Sequence, residues 1–243
     1  MKREITSWYS PSLNADMPIA VYGHHGFSIL LIPTAAADYL EYERFQMMEA
    51  LAPAIDSGKC KIFSINSINN ESWLNNSMEP SHKAIRHNQF NEYVLNEVIP
   101  FIHEQSGKDT PIITCGASFG ALHAMNLFLR NPSKIQGVIS MSGVYNLAEY
   151  TKGFWNDQVY FNSPEHYVPN IDDEVYLDQI RASKHIHIYT GSGDYEDPNA
   201  SRRFSQVLWD KGIWHDLGVW GEDITHDWPT WRKMMPYILM EKF

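Results

Sequence analysis

Short apolar runs alternate with longer helical patterns along most of the chain, and this alternation restricts the folds that the chain can adopt. The run Phe27–Ile32 stops at Pro33, as expected of a strand buried on both faces. Similar runs follow at Lys61–Ile65, Pro111–Cys115, Ile135–Met141, His185–Tyr189 and Trp214–Trp220. Helical patterns lie at Tyr39–Ala54, Asn88–Gln105, Phe119–Arg130, Ala200–Lys211 and Pro229–Met240. Such alternation predicts an α/β fold whose mostly parallel sheet is covered by helices on both faces.

Two segments depart from this alternation. Residues 3–22 contain no helical pattern, so we expect the first two strands to form an antiparallel hairpin at one edge of the sheet. Residues 145–183 are rich in aromatic residues, Asn, Asp and Pro. We interpret this second segment as an insertion over the carboxyl edge of the sheet, so that residues 1–243 form one domain.

Charge and hydropathy exclude several classes of partner. Nineteen basic against twenty-nine acidic residues give a net charge of −10, which argues against nucleic acid or an anionic membrane surface. No window approaches the roughly 18 apolar residues of a membrane span, and we expect a cytoplasmic protein, although removal of a signal peptide would leave the same pattern. Cys60 and Cys115 lie in apolar runs and are expected to be buried free thiols. We expect neither a metal nor a cofactor.

The segment Gly116-Ala117-Ser118-Phe119-Gly120 carries the first chemical signal. It follows a predicted strand and opens a predicted helix, which is the context of a nucleophile elbow. The two glycines make room for the neighbouring strand and helix, and the turn lifts the Ser118 hydroxyl out of the sheet. The N–H of Phe119 is then a candidate donor to an oxyanion. The alternative is a chance match in a loop, which the flanking strand and helix make improbable.

A serine nucleophile needs a base, and His226 is the candidate. After a serine at a nucleophile elbow, the acid and then the histidine follow along the chain. His226 fits this order, because it follows the last strand-like run and precedes the last predicted helix. The other downstream histidines fit this role less well. His185, His187 and His215 lie within or at the start of strands and are expected to be structural, whereas His166 lies in the insertion and His123 on the helix after the elbow.

The candidates for the acid and for the second oxyanion donor lie in two loops, each of which follows a predicted strand. The loop Thr190–Pro198 offers Asp194, Glu196 and Asp197; Asp197 suits a helix cap, and the residues alone leave Asp194 and Glu196 undecided. The loop after the strand Phe27–Ile32 contains small residues, and the N–H of Thr34 is the candidate second donor, unless the loop is merely a tight turn.

Taken together, the elbow and the segment Thr225-His226-Asp227-Trp228-Pro229-Thr230-Trp231-Arg232 resemble the Putative esterase family of α/β-hydrolases. That family includes S-formylglutathione hydrolases of the esterase D type, feruloyl esterases, enterochelin esterases and mycolyltransferases. The resemblance covers nearly the whole chain and supports Ser118 and His226. It also favours Glu196 as the acid, because similar sequences carry an aromatic residue followed by Glu there. In the family the oxyanion residue usually follows a Gly, whereas Pro33 precedes Thr34 here.

These residues predict a serine esterase that hydrolyses a small-molecule carboxylic ester through an acyl-enzyme. An acyltransferase would use the same machinery, with an alcohol in place of water. A non-catalytic binding or scaffold protein of the same fold is a further alternative, although such proteins typically lose one of the three groups that are available here. Aromatic residues such as Trp73 and Trp155 are expected to form a small core or to line an acyl pocket.

Overall fold

The computed structural model describes residues 1–243 and contains one eight-stranded sheet with helices on both faces. The strands are β1 (Arg3–Ser10), β2 (Ala15–Tyr22), β3 (Phe27–Ile32), β4 (Cys60–Ile65), β5 (Ile112–Ala117), β6 (Gly137–Met141), β7 (His185–Thr190) and β8 (Asp216–Val219). Their order in the sheet is β1-β2-β4-β3-β5-β6-β7-β8. The strands from β3 to β8 are parallel, and β1 and β2 form the expected antiparallel hairpin at one edge. The predicted fold class is confirmed.

The helices occupy the connections between strands. The α-helices are α1 (Glu41–Arg44), α2 (Met47–Asp56), α3 (Pro80–Tyr93), α4 (Ile99–Ser106), α5 (Phe119–Arg130), α6 (Asp157–Tyr160), α7 (Pro164–Tyr167), α8 (Glu174–Arg181), α9 (Pro198–Asp210) and α10 (Trp228–Glu241). A π-helical segment, Val94–Val98, joins α3 to α4, and short 3₁₀ turns lie at Asn69–Glu71, Ala148–Tyr150 and Val168–Asn170. No helix is long and apolar enough to span a bilayer.

Two helix predictions differ from the structure. The helix expected over Tyr39–Ala54 is two helices, because Gln46 adopts a left-handed backbone with φ +61° that ends one helix and precedes the next. The helix expected over Asn88–Gln105 begins earlier, at Pro80, where a proline suits the first turn.

A hydrophobic core lies on each face of the sheet. On one face, α3, α4, α5, α8 and α9 contribute residues such as Phe90, Phe128 and Phe204. On the other face, α2 and α10 contribute residues such as Leu51 and Trp231. The alternation of side chains along each strand divides its apolar residues between these two cores, which explains the continuous apolar runs in the sequence.

The segment 145–183 serves two different parts of the molecule. Its first half contributes Leu147 and Val159 to a small core with Trp73 and Phe119, beside the elbow. Its second half contributes Leu177 on α8 to the main core. Trp73 is therefore part of a small core, one of the two roles expected for it, whereas Trp155 is largely exposed.

The topology brings four loops to one edge of the sheet. The chain runs from β3 to β4 on one side of β3, and from β5 to β6 on the other side. The direction in which strands are added to the sheet therefore reverses between β3 and β5. Crevices for ligands form outside the carboxyl ends of strands at such a reversal. The loops that follow β3, β5, β7 and β8 all start at this edge, and they contain the predicted site residues.

Candidate active site

Ser118 lies at a sharp turn between β5 and α5. Its backbone has φ +55° and ψ −123°, a conformation that costs a non-glycine residue of order 1–3 kcal/mol. The two flanking glycines explain how the turn fits. A Cβ on Gly116 would lie 2.3 Å from the backbone of Gly120, and a Cβ on Gly120 would lie 2.4 Å from the carbonyl oxygen of Pro33. The turn holds the Ser118 hydroxyl at the carboxyl edge of the sheet.

The N–H of Phe119 lies at the start of α5 and donates to no protein group. Free N–H groups at a helix N-terminus carry a partial positive charge, so this position favours an anion beside Ser118. The side chain of Phe119 is 4 % exposed and packs edge-on against Tyr150 at a ring distance of 4.9 Å. That packing fixes the first residue of the helix.

His226 reaches Ser118 from the loop between β8 and α10. Its Nε2 lies 2.9 Å from Oγ of Ser118, which is hydrogen-bond distance. The N–H of His226 donates to the carbonyl oxygen of Asp194 at 3.0 Å, and Asp227 accepts a hydrogen bond from the N–H of Trp228 and caps α10. The ring contacts Trp231 edge-on at 5.2 Å. Backbone and ring contacts together therefore orient the imidazole.

The carboxylate that faces the other ring nitrogen belongs to Glu196. Its Oε2 lies 3.5 Å from Nδ1 of His226, longer than a normal hydrogen bond but typical of catalytic contacts that tighten when substrate binds. Ser142 donates to Oε1 at 2.6 Å, and Thr190 donates to Oε2 at 3.0 Å. Burial raises the pKa of Glu196, but His226 and the Ser142 hydrogen bond outweigh burial, so the net pKa lies below its usual value. The side chain is 1 % exposed and ionised at neutral pH.

The other two acids of this loop have different roles. Asp194 is exposed, its carboxylate forms no hydrogen bond or ion pair, and its carbonyl oxygen accepts the hydrogen bond from the N–H of His226. Asp197 accepts hydrogen bonds from the N–H groups of Asn199 and Ala200 and caps α9, as predicted. The structure therefore brings together Ser118, His226 and Glu196.

Sequence reasoning missed the residues that support Glu196. Ser142 follows β6 with φ +48°, and the Trp231 indole N–H donates to its hydroxyl at 3.0 Å. Trp231 thus orients Ser142, and Ser142 orients the carboxylate of Glu196. One signal was present in the sequence, since Ser142 is a polar residue directly after a strand that ends at the site edge. Its partner could not be read there, because the partner lies 54 residues away.

Thr34, the predicted second oxyanion donor, is hydrogen-bonded to Glu41 in the structure. Its N–H donates to Oε2 of Glu41 at 2.8 Å, and its hydroxyl donates to Oε1 of the same carboxylate. Glu41 is the first residue of α1 and is buried, and no motif in the sequence indicates its contact with Thr34. An N–H that already donates to a carboxylate is not free for an oxyanion. The N–H groups of Ala35, Ala36 and Ala37 have no protein acceptor.

The remaining histidines and cysteines lie outside this arrangement. His215 contacts Ser205 and the carbonyl oxygen of Ile213, and His166 contacts Ser163. Cys60 and Cys115 are buried and free, and burial raises the pKa of Cys60 to about 12. No group of three or more His, Cys, Asp or Glu side chains is arranged to hold a metal ion.

Comparisons with known proteins give a family match and several similar structures. The model of the Putative esterase family matches residues 9–241. A ferulic acid esterase is similar in structure, with a TM-score of 0.74, 18% identity and coverage of 98% of this chain and 97% of the other. An S-formylglutathione hydrolase from Agrobacterium tumefaciens has a TM-score of 0.75 and 14% identity, with 98% and 93% covered.

A third similar structure is that of FphF, a fluorophosphonate-binding serine hydrolase of Staphylococcus aureus, with substrate bound. Its TM-score is 0.68 at 17% identity, with 98% of this chain and 97% of that chain covered. A comparison with functionally curated proteins gives no match. The family match spans nearly the whole sequence, and the similar structures share the fold. The chain therefore belongs to the Putative esterase family, the α/β-hydrolase-fold esterases.

Proposed function

We propose that this protein hydrolyses a small-molecule carboxylic ester through an acyl-enzyme on Ser118. The observation that carries the proposal is the contact of 2.9 Å between Ser118 Oγ and His226 Nε2 at a strained elbow, with the buried Glu196 carboxylate facing the opposite ring nitrogen. A hydroxyl, an imidazole and a carboxylate in this relation form the arrangement that activates a serine nucleophile.

The chemistry has two halves. In acylation, His226 Nε2 takes the proton of Ser118 as Oγ attacks the ester carbonyl carbon, and then gives it to the departing alcohol oxygen. In deacylation, His226 takes a proton from water, the hydroxide oxygen attacks the acyl carbon, and the proton returns to Oγ as the acid leaves. Glu196 holds the ring with Nδ1–H towards it and stabilises the imidazolium formed in each half.

The tetrahedral oxyanion of each half needs hydrogen-bond donors. The N–H of Phe119 is unengaged and lies next to Ser118. The second donor is assigned to the loop 33–37. The N–H of Thr34 can serve only if it exchanges Glu41 for the oxyanion, whereas those of the following alanines need no such exchange.

Ser118→Ala tests the proposal. Loss of a triad nucleophile costs on the order of a million-fold in turnover, while a half-buried elbow hydroxyl contributes little to packing. We expect p-nitrophenyl butyrate hydrolysis to vanish, with an unchanged thermal melt. The wild type should also take up a fluorophosphonate covalently at Ser118, as mass spectrometry of the peptide would show. Full hydrolysis by Ser118→Ala would refute the mechanism.

Product analysis separates hydrolysis from acyl transfer. The reaction is run with and without an added short alcohol, and the acyl group is followed into free acid or a new ester. We expect free acid to predominate in both. Quantitative formation of a new ester would assign the protein to acyl transfer instead.

A further inference from the structure

A chain of four buried polar side chains lies beneath the elbow and takes no part in the triad. The indole N–H of Trp73 donates to Nδ1 of His87 at 2.9 Å. Nε2 of His87 lies 3.0 Å from Nδ1 of His123, and Nε2 of His123 lies 2.9 Å from Oδ1 of Asn69. His123 is on α5, five residues after Ser118, and its ring lies 5.5 Å from that of Phe119.

The direction of every hydrogen bond in this chain is determined. An indole N–H can only donate, so Nδ1 of His87 accepts and its proton lies on Nε2. Nδ1 of His123 then accepts, and its own Nε2–H donates to Asn69. Burial lowers the pKa of His123 to about 3, and burial together with its neighbour His123 lowers that of His87 well below its usual value. Both rings therefore stay neutral at neutral pH, and Asn69 receives a donor on its carbonyl oxygen.

That donor fixes which way the Asn69 amide points. Its Nδ2 donates to the carbonyl oxygen of Ala35 at 2.7 Å, and the hydroxyl of Ser67 donates to the same oxygen at 3.0 Å. The N–H of Ser67 donates to the carbonyl oxygen of Ala37 at 3.1 Å. Two carbonyl groups of the loop 33–37 are thus drawn to the segment after β4.

The consequence for the loop follows from peptide geometry. In a trans peptide the C=O and the following N–H point in opposite directions, so an Ala35 carbonyl held against Asn69 and Ser67 turns the N–H of Ala36 away from them. Ala36 is exposed, and its N–H has no acceptor. If this peptide flipped, its carbonyl oxygen would take the place of the N–H and repel an oxyanion.

We propose that Asn69 is a positioning residue for the oxyanion loop, and that the chain Trp73–His87–His123–Asn69 holds the Ala35 carbonyl so that the loop presents N–H groups to the transition state. This inference rests on the proposed esterase function. A fully satisfied polar chain in a core gives little stability over well-packed apolar side chains, whereas it does specify one orientation. The loop itself consists of small residues and has no bulky side chain to fix its peptides.

The test compares Asn69→Ala and Ser67→Ala with a matched control, Asn91→Ala. Asn91 is equally an amide, 6 % exposed, that donates at 2.7 Å to another buried group, Asn162, but it has no contact with the loop. The substrate is p-nitrophenyl butyrate, and the transition-state probe is an octylthio trifluoromethyl ketone. Oγ of Ser118 adds to the ketone carbon, His226 takes the hydroxyl proton, and the carbonyl oxygen becomes an oxyanion.

Removing one oxyanion donor lowers kcat by about 100- to 1,000-fold, so loss of a residue that only positions a donor should lower kcat by less. We expect Asn69→Ala to lower kcat and the ketone affinity together by about 10- to 100-fold, with KM nearly unchanged. Ser67→Ala, at a half-exposed site that a small residue tolerates, should lower both several-fold. Asn91→Ala should change neither, even if its melting temperature falls as far.

The outcomes are distinct. If Asn69→Ala and Ser67→Ala keep wild-type kcat and ketone affinity, or if Asn91→Ala loses as much, the inference is wrong. Should Asn69→Ala fail to fold, Ser67→Ala alone decides. A wild type without hydrolysis, or an active Ser118→Ala, would instead overturn the esterase proposal itself.

Discussion

Asp194 and Glu196 lie in one loop after β7, and their surroundings give them different chemistry. The Glu196 carboxylate is enclosed, accepts hydrogen bonds from Ser142 and Thr190, and faces the imidazole of His226. The Asp194 side chain is exposed and forms no contact with that ring. A carboxylate can hold an imidazolium effectively only where water does not compete for it, which favours the enclosed acid.

Substituting each acid by its amide therefore separates them. Glu196→Gln should lower kcat by about 10⁴-fold, because the amide no longer stabilises the imidazolium or fixes its tautomer. Asp194→Asn should keep most of the activity, since only its backbone carbonyl touches the site. Steady-state kinetics on p-nitrophenyl butyrate, with circular dichroism as the folding check, measures both. The reverse order of activities would identify Asp194 as the acid.

Ser142 offers a finer test of the same carboxylate. Ser142→Ala removes the donor at 2.6 Å from a buried carboxylate oxygen, which should cost about 1–3 kcal/mol of stability. It should also raise the pKa of Glu196, because that hydrogen bond helps to lower it. We expect kcat to fall about 10-fold at neutral pH and more steeply towards pH 5. Ser140→Ala is the matched control, since Ser140 lies on β6, the strand that Ser142 follows, and its hydroxyl bonds only Tyr145. An equal loss there would refute the role of Ser142.

Among the elements, those whose ends carry local signals could be predicted closely. The helix Phe119–Arg130 has the predicted bounds, and Asp197 caps α9 as expected. A cap and an elbow depend on residues within a few positions of one another, so the sequence contains the information. The helix break at Gln46 and the hydrogen bonds between Thr34 and Glu41 depend on how α1 packs against the end of β3. No local sequence pattern indicates that packing.

The cap of α9 gives a prediction at this scale. Asp197→Ala removes the acceptor for the N–H groups of Asn199 and Ala200, which should cost about 1 kcal/mol of unfolding free energy. Asp197→Asn retains a capping oxygen and should cost little. Because the side chain of Asp197 has no contact with His226, kcat should stay at the wild-type value in both. Urea denaturation and kinetics measure the two effects, and a large fall in kcat for Asp197→Asn would mean that Asp197 also acts in the site.

At the level of the whole molecule, the parallel sheet and its hairpin edge follow from the alternation of apolar runs, whereas the polar interior does not. His87, His123 and Asn69 come from three separate segments, and no local pattern in the sequence brings them together. Their burial is a property of the assembled layers. The candidate nucleophile and base could be proposed from motifs, but the groups that orient the acid and the oxyanion loop could be found only from the packing.

The buried histidines predict how the stability of the molecule depends on pH. In the unfolded chain a histidine has a pKa of about 6.5. In the folded protein burial lowers the pKa of His123 to about 3, that of His187 to about 4 and that of His87 well below 6.5. Below pH 6.5 the unfolded state therefore binds protons that the native state does not, and unfolding becomes more favourable as the pH falls.

Each such group contributes a slope of up to about 1.4 kcal/mol per pH unit to the free energy of unfolding, so His87 and His123 together contribute up to about 2.8 kcal/mol per pH unit. Two carboxylates also affect the profile. Burial raises the pKa of Glu41, whose protonation partly offsets the loss of stability, whereas the lowered pKa of Glu196 adds to the loss in stronger acid. Urea unfolding at pH 7.5, 6.5, 5.5 and 4.5 should show constant stability above about pH 7 and a loss of several kcal/mol by pH 5. The free energy of unfolding of a folded protein is roughly 5–15 kcal/mol, so the protein should unfold in mild acid.

His82→Gln, at an exposed site, should leave the dependence of stability on pH unchanged. Constant stability from pH 6.5 to 5 would mean that the histidines are protonated in the native state, and the hydrogen-bond directions assigned to the chain would be wrong.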